Sequence, residues 1–245
     1  MEEVDWLERT DLLLGKEKLE KLKKSHVLVV GLGGVGAYAA EMICRAGVGN
    51  MTIVDGDMIE TTNRNRQLPA LVSTVGKEKA ALVGQRLKDI NPGLNVRAIK
   101  AFLRDEEMKE FLENNKFDYV VDAIDTLSPK IYLIYFCMQN HHKLVSSMGS
   151  GGKMDPEQVK IADISKTYGC PLAYVIRKKL RHLGIERGFK AVYNPEPIPA
   201  SAIRPVENVQ NKKSTVGTIS YMPAIFGCFC ASVVIRDLIE DTCNK

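Results

Sequence analysis

Apolar runs of strand length alternate with helix-length stretches along the first 150 residues of the chain. His26–Val30 is a β-branched run, a glycine-rich turn follows it, and a helix is predicted from there to about Ala46, closed by Gly47 and Gly49. Residues 51–54 supply the next strand and complete a strand–helix–strand unit. The pattern continues with a helix over 74–89, ended by Asn91-Pro92-Gly93, and a strand over 96–100. Asp105 can cap a further helix that runs through Asn114. Residues 118–123 predict a strand, 129–140 a helix with proline in its first turn, and 144–147 a strand, after which Gly149, Gly151 and Gly152 break the pattern. Such alternation predicts an α/β fold, a Rossmann-like, mostly parallel sheet with helices on both faces.

The two ends depart from this alternation. Residues 1–24 predict a helical arm with Leu12, Leu13, Leu14, Leu19 and Leu22 as its apolar face. Beyond residue 150 the pattern loosens. Residues 171–182 predict a helix, whereas 195–215, with Pro195, Pro197, Pro199 and Pro205 and no apolar period, predict a long loop. Residues 216–235 carry no charge and are long enough to span a bilayer. Gly217, Thr218, Ser220, Pro223, Gly227 and Ser232 interrupt them. Pro223 divides the stretch into a short strand over 217–221 and a helix over 224–240, so a buried strand and core helix is preferred to a membrane span.

Composition changes this picture little. The 245 residues are 45% hydrophobic and 26% charged, an ordinary globular mix that suffices to bury a core. A net charge of +4 permits a polyanionic partner without demanding one. The six cysteines, at 44, 137, 170, 228, 230 and 243, form no C-x-x-C pair, so the spacing of a zinc site is absent. Scattered thiols, and an acidic opening Met-Glu-Glu-Val-Asp where a secretion signal needs basic residues, predict a reduced, cytoplasmic protein with no membrane contact.

The candidate chemistry begins at Gly31-Leu-Gly-Gly-Val-Gly36. A glycine-rich turn between strand and helix aims backbone N–H groups and a helix N-terminus at phosphate. Asp55 follows at about the ~20-residue spacing of a ribose-binding carboxylate. This much suits a nicotinamide dehydrogenase as well as a nucleotide enzyme. The discriminating residues are Asn63-Arg64-Asn65-Arg66-Gln67, then Val75-Gly76-Lys77-Glu78-Lys79, then Asp122-Ala-Ile-Asp125. Hydride transfer needs no such cluster, whereas phosphoryl or adenylyl transfer needs cations for phosphate oxygens and a carboxylate for magnesium. Taken singly, Arg66 and Lys79 are ordinary surface charges, and Asp122 reads first as a residue that orients its loop.

In this combination the chain resembles the E1-like (ubiquitin-activating) adenylation fold, which includes the ThiF-type activators of sulfur-carrier proteins. The resemblance is close over residues 7–170 and looser beyond. It implies one domain over 1–245, with an N-terminal helical arm (1–24), a nucleotide-binding core (25–150) and an irregular substrate-side extension (151–245). It further implies that Gly31, Gly33, Gly34 and Gly36 form the nucleotide loop and that Asp55, with Asp57 beside it, holds the ribose. Asn63, Arg66 and Lys79 would contact the triphosphate of ATP, Gln67 would support them, and Asp125 would bind Mg2+. Arg9, in Leu-Glu-Arg-Thr-Asp-Leu-Leu-Leu-Gly, matches an arginine that reaches across a homodimer into the neighbouring site.

Within that family the chain is similar to the branch of tRNA threonylcarbamoyladenosine dehydratases. The similarity lies in Thr61-Thr62-Asn63-Arg64-Asn65-Arg66-Gln67-Leu68, Val121-Asp-Ala-Ile-Asp125 with Ser128-Pro129-Lys130, and Gly149-Ser-Gly-Gly152 with Asp155-Pro156. It extends to Ile161-Ala-Asp-Ile-Ser-Lys-Thr167 before Pro171-Leu-Ala173, and to Tyr193-Asn-Pro-Glu196. The branch implies tRNA as partner and a link to a cysteine-desulfurase or sulfur-acceptor system. An activator of a ubiquitin-like sulfur carrier and a nucleotide-binding scaffold without turnover are the competing readings. Against a thiol mechanism, Cys137, Cys228 and Cys230 read as small core residues, and Cys170 is the one cysteine in an evident loop. The densest basic run, Arg177-Lys178-Lys179-Leu180-Arg181-His182 with Arg187 and Lys190, is the candidate tRNA surface, with Lys212 and Lys213 next.

Overall fold

The structure, a computed structural model, describes residues 6–205 and 214–240. The main strands are β1 (His26–Val30), β2 (Asn50–Val54), β3 (Asn95–Ile99), β4 (Tyr119–Asp122), β5 (Leu144–Ser147), β6 (Lys160–Asp163) and β7 (Lys190–Tyr193). They form one sheet in the order β3-β2-β1-β4-β5-β7-β6, and every pairing is parallel except β6 against β7. The helices are α1 (Glu8–Leu14), α2 (Lys16–Lys24), α3 (Gly36–Arg45), α4 (Lys79–Ile90), α5 (Asp105–Glu113), α6 (Leu127–Gln139), α7 (Pro171–His182) and α8 (Tyr221–Ile239).

Strand periodicity of two explains the layers. Val27 and Val29 of β1 face a core shared with α2, α3, α4 and α8, while Leu28 and Val30 face a second core shared with α5, α6 and α7. Helices thus cover both faces of a mostly parallel sheet, as the alternation predicted. At the crossing of α8 with α3, a Cβ on Gly227 would lie 2.5 Å from the carbonyl oxygen of Val35, so the small residue lets the two backbones approach.

Several boundaries differ from expectation for identifiable reasons. The arm is two helices broken at Gly15, whose φ is +81°. Leu19 and Leu22 are buried, but Leu12 and Leu13 are more than 80% exposed and belong to no internal face. The helix expected over 74–89 begins only at Lys79, because Thr74 ends a 3-10 turn and Gly76 takes φ +82°. Asp105 does not cap α5; Arg104 takes that place and Asp105 sits inside with φ +45°. Pro223 does not divide the last apolar stretch. It lies in the first turn of α8, where its missing N–H is an unpaired donor anyway, so the helix starts at Tyr221 and the strand expected over 217–221 is absent. Met222, Phe226, Cys230, Val233 and Val234 bury this helix in the core. The expected loop over 195–215 instead holds a 3-10 turn at Ala200–Ala202 and the strand β8 (Ile203–Pro205), antiparallel to β9 (Ser214–Val216). Lys212, Lys213 and Cys243 lie outside the described residues.

Candidate nucleotide site

The strand order reverses between β1 and β4, and such a switch point opens a crevice at the carboxyl ends of the strands. Gly31 leaves β1 there, donating its N–H to Val54 O at 2.8 Å, and Ala123 leaves β4, donating to Val30 O at 2.9 Å. The glycine loop folds back so tightly that a Cβ on Gly36 would fall 1.7 Å from the carbonyl oxygen of Gly31. Gly34 lies against Pro223 of α8, while Gly33 faces only the Gln67 amide. No side chain caps α3, and in its first turn Ala37 donates its N–H to Gly33 O at 3.3 Å.

Around this loop stand most of the residues expected from sequence. Asp55 is nearly buried; its Oδ2 accepts the N–H of Leu32 at 2.6 Å and its Oδ1 that of Asp57 at 2.7 Å. Burial pushes its carboxyl above the ordinary value, against the opposing pull of Lys79 and these two N–H groups. Lys79 is buried at the start of α4, and its Nζ is 2.8 Å from Oδ2 of the exposed Asp57. Asn63 is buried, with Oδ1 accepting the N–H of Glu60 at 3.1 Å. Arg66 is half-buried and donates through Nη1 to Thr62 O and Asn65 Oδ1. The Gln67 Oε1 is buried with no hydrogen-bond partner among the described residues. Asp125 is exposed ahead of α6 and makes no hydrogen bond or ion pair among the described residues. Arg9 is the exception to the grouping. Its helix begins where Leu7 packs against Gly47, at the end of α3 away from the glycine loop, and Arg9 is exposed with no partner among the described residues.

Other residues hold the neighbouring loops, Asp122 as expected and the rest without a role in the pattern reading. Asp122 is fully buried, 2.8 Å from Lys130 Nζ, and accepts from Ser146 Oγ at 2.6 Å, which agrees with a loop-orienting carboxylate. Asn65 Nδ2 donates to Thr218 O at 3.0 Å, tying the 61–67 segment to the chain entering α8. The motif stretches at 149–156 and 193–196 prove to be one unit: Glu196 Oε2 accepts the N–H groups of Met154 and Asp155, Asn194 Nδ2 donates to Asp155 O, and the buried Lys153 donates to Glu196 O. Burial lowers the Lys153 ammonium below its usual range. The joint occurrence of the two motifs was the available signal, but nothing in their spacing foretold contact.

Four of the described thiols are shifted away from reactivity. Burial pushes Cys44 up to about 11 and Cys230 up to about 12, and it also raises Cys137 and Cys228. Cys228 is exposed on α8, not a core residue as expected, and Cys170 stands in the expected loop, as the N-cap of α7, but is buried. The basic run is also thinner than it reads. Arg177 donates to Thr167 Oγ1 and Lys190 pairs with Asp237, whereas Lys178, Lys179, Arg181, His182 and Arg187 are exposed.

The profile of the ThiF family matches residues 8–245. The chain is 41% identical over 240 residues to the tRNA threonylcarbamoyladenosine dehydratase of Bacillus subtilis, covering 95% of this chain and 94% of that one. It is 36% identical over 234 residues to the enzyme of the same name from Haemophilus influenzae, covering 91% and 89%. Its fold matches the crystal structure of Escherichia coli tRNA N6-threonylcarbamoyladenosine dehydratase, TcdA, in complex with ATP, with a TM-score of 0.87, 31% identity, and coverage of 98% of this chain and 97% of that one. The switch-point crevice, the glycine loop and likeness along the whole length agree: the chain belongs to the ThiF family.

Proposed function

We infer that this protein is an ATP-dependent tRNA threonylcarbamoyladenosine dehydratase. The observation that carries the inference is likeness to the Bacillus subtilis dehydratase across both the nucleotide core and the 149–196 region that lies outside the nucleotide motifs. A carboxylate oxygen of the threonylcarbamoyl group attacks the α-phosphorus of ATP. The new O–P bond forms as the bond to the β-phosphate oxygen breaks, releasing pyrophosphate. A nucleophile of the same side chain then attacks the activated carbonyl and expels AMP. Ring closure within one side chain requires positioning more than an enzyme nucleophile, consistent with the Cys44 and Cys230 thiols, which burial raises.

Each oxygen of Asp55 accepts one N–H and retains acceptor capacity for a ribose hydroxyl. Lys79, Arg66 and Asn63 face the triphosphate, and Gln67 lends its unpaired Oε1. Asp125, one exposed carboxylate beside a phosphate loop, fits Mg2+, which takes one or two carboxylates and completes its shell with phosphate and water. The ion would supply charge neutralisation to the departing pyrophosphate. The test is mass spectrometry of tRNA nucleosides after incubation with ATP and Mg2+. Loss of one water from threonylcarbamoyladenosine is expected. An unchanged nucleoside, with pyrophosphate exchange driven by a Gly-Gly-ended protein instead, would favour the sulfur-carrier reading.

Three further expectations belong to this reading. Cys170→Ser keeps activity within about twofold, since serine suits an N-cap and no thiol reacts; a folded but inactive variant would contradict it. The exposed Leu12 and Leu13 beside Arg9 support a homodimer with Arg9 acting across it. Mixing Arg9→Ala with Lys79→Ala protein then restores one intact site per mixed dimer, and no recovery after verified subunit exchange counts against it. The exposed part of α7 supports tRNA contact: Lys178→Glu with Lys179→Glu weakens tRNA binding and flattens its salt dependence by about one unit of slope per lost contact. ATP binding stays unchanged, and an unaltered tRNA affinity across a salt series would place the RNA elsewhere.

A further inference from the structure

We propose that the buried pair Asp122–Lys130 is a positioning device that fixes the β4–α6 loop, and through it Asp125, for adenylation; the proposal rests on the role assigned to Asp125 above. Asp122 ends β4 between Val30 and Ser146 on the neighbouring strands. Its Oδ1 accepts the N–H of Ile124 at 3.1 Å, and Lys130 Nζ donates to the carbonyl of the same Ile124 at 3.1 Å. The two charges lie 2.8 Å apart with both side chains fully buried, and Ser146 Oγ holds Asp122 Oδ2 from β5 at 2.6 Å. Both polar backbone groups of the residue preceding Asp125 are therefore clamped from beneath by side chains of β4 and α6. Ala123, between Asp122 and Ile124, is held by its own N–H on Val30 O and is the residue that Gly31 and Gly36 approach. One buried network thus holds the peptide units that lead into the Asp125 carboxylate.

Fold stability alone does not account for this arrangement. Burying two charges gains little over an apolar pair of similar volume, because desolvation offsets their attraction. The ends of β4 and α6 already confine so short a loop. What the pair adds is orientation of the two peptide units next to Asp125, and reactions of this kind are sensitive to displacements of about 1 Å.

The experiment compares Lys130→Met, the double variant Asp122→Asn/Lys130→Met, and Asp125→Ala in the full chain. The readouts are melting temperature, ATP affinity by calorimetry with and without Mg2+, and kcat and KM of pyrophosphate exchange with modified tRNA. Lys130→Met strands a buried carboxylate and is expected to melt lower. The double variant removes both charges and is expected to melt near the wild type. Its kcat is nonetheless expected to stay down by about 10-fold or more, with a smaller Mg2+-dependent gain in ATP affinity. Full recovery of kcat together with melting temperature overturns the proposal and leaves the pair structural. Ser146→Ala is a milder probe that needs no refitting of the core. It is expected to lower kcat severalfold with little change in melting, and wild-type kcat in this variant likewise overturns the clamp. An active Asp125→Ala overturns the role of Asp125 and the clamp together, whereas an inactive Asp125→Ala beside a fully active double variant overturns the clamp alone.

Discussion

Lys79→Ala and Asp125→Ala each lower ATP–pyrophosphate exchange by about 10²-fold or more, the usual cost of removing one electrostatic group from a charge-transfer site. The two residues are held in opposite ways, which makes the pair informative. Lys79 is buried, with its ammonium 2.8 Å from Asp57 at the mouth of the crevice. Removing it leaves Asp57 with its carboxylate about half exposed and still hydrated, so the protein is expected to fold. Asp125 is exposed and without a partner among the described residues, so its loss leaves nothing uncompensated and melting stays unchanged. Exchange measured with modified tRNA, beside a melting curve for each variant, separates chemistry from folding. Near-normal exchange in both folded variants would remove these residues from the reaction.

The sheet was legible because its strands announce themselves. The runs 26–30, 51–54 and 118–123 are short, β-branched and flanked by turn residues, and they became β1, β2 and β4 nearly unchanged. The miss lay where pattern and environment part. β6 and β7 are short strands at one edge of the sheet, and the antiparallel return of β6 depends on long-range pairing, Ala162 with Ala191, that no local period encodes. Proline misled for a related reason. Pro223 breaks a helix interior but fits a first turn, and only the true start at Tyr221 distinguishes the two.

For the site, residue type and order singled out Asp55, Asn63, Gln67 and Lys79 as candidates, and the fold sets Asp55 and Gln67 against the glycine loop. What sequence left unassigned was their support. Lys130 looks like any helix lysine, yet it is wholly buried against Asp122, and Ser146 looks like a strand filler, yet it completes that pair. Such roles depend on which side chains meet beneath the loop, and that follows from register between strands distant in sequence. Arg9 is the converse: its motif points to the site, while its helix leaves it exposed with no partner among the described residues of its own chain.

Gly36→Ala and Gly33→Ala are expected to fail for different reasons, and the contrast locates the nucleotide. A Cβ at Gly36 would stand 1.7 Å from the carbonyl oxygen of Gly31. That carbonyl cannot withdraw easily, because the Gly31 N–H is bonded to Val54 and its own Cβ position is closed by Ala123 O at 2.7 Å. The methyl would meet backbone rather than the end of a flexible side chain, so the cost should exceed the ~1–3 kcal/mol of ordinary overpacking. At roughly 2–4 °C per kcal/mol for a chain of this size, a fall in Tm of at least about 6 °C is expected. Gly33 differs: a Cβ there meets only Gln67 Nε2, at 3.7 Å, an ordinary contact. Gly33→Ala should therefore melt within about 2 °C of the wild type. On the proposed reading its methyl stands on the face where phosphate approaches backbone N–H groups, and ATP affinity should fall about 10-fold, or ~1.4 kcal/mol. Calorimetric titration and melting of both variants check this. Wild-type ATP affinity in Gly33→Ala would move the phosphates off this face of the loop, and wild-type melting in Gly36→Ala would show that the turn does not close as described.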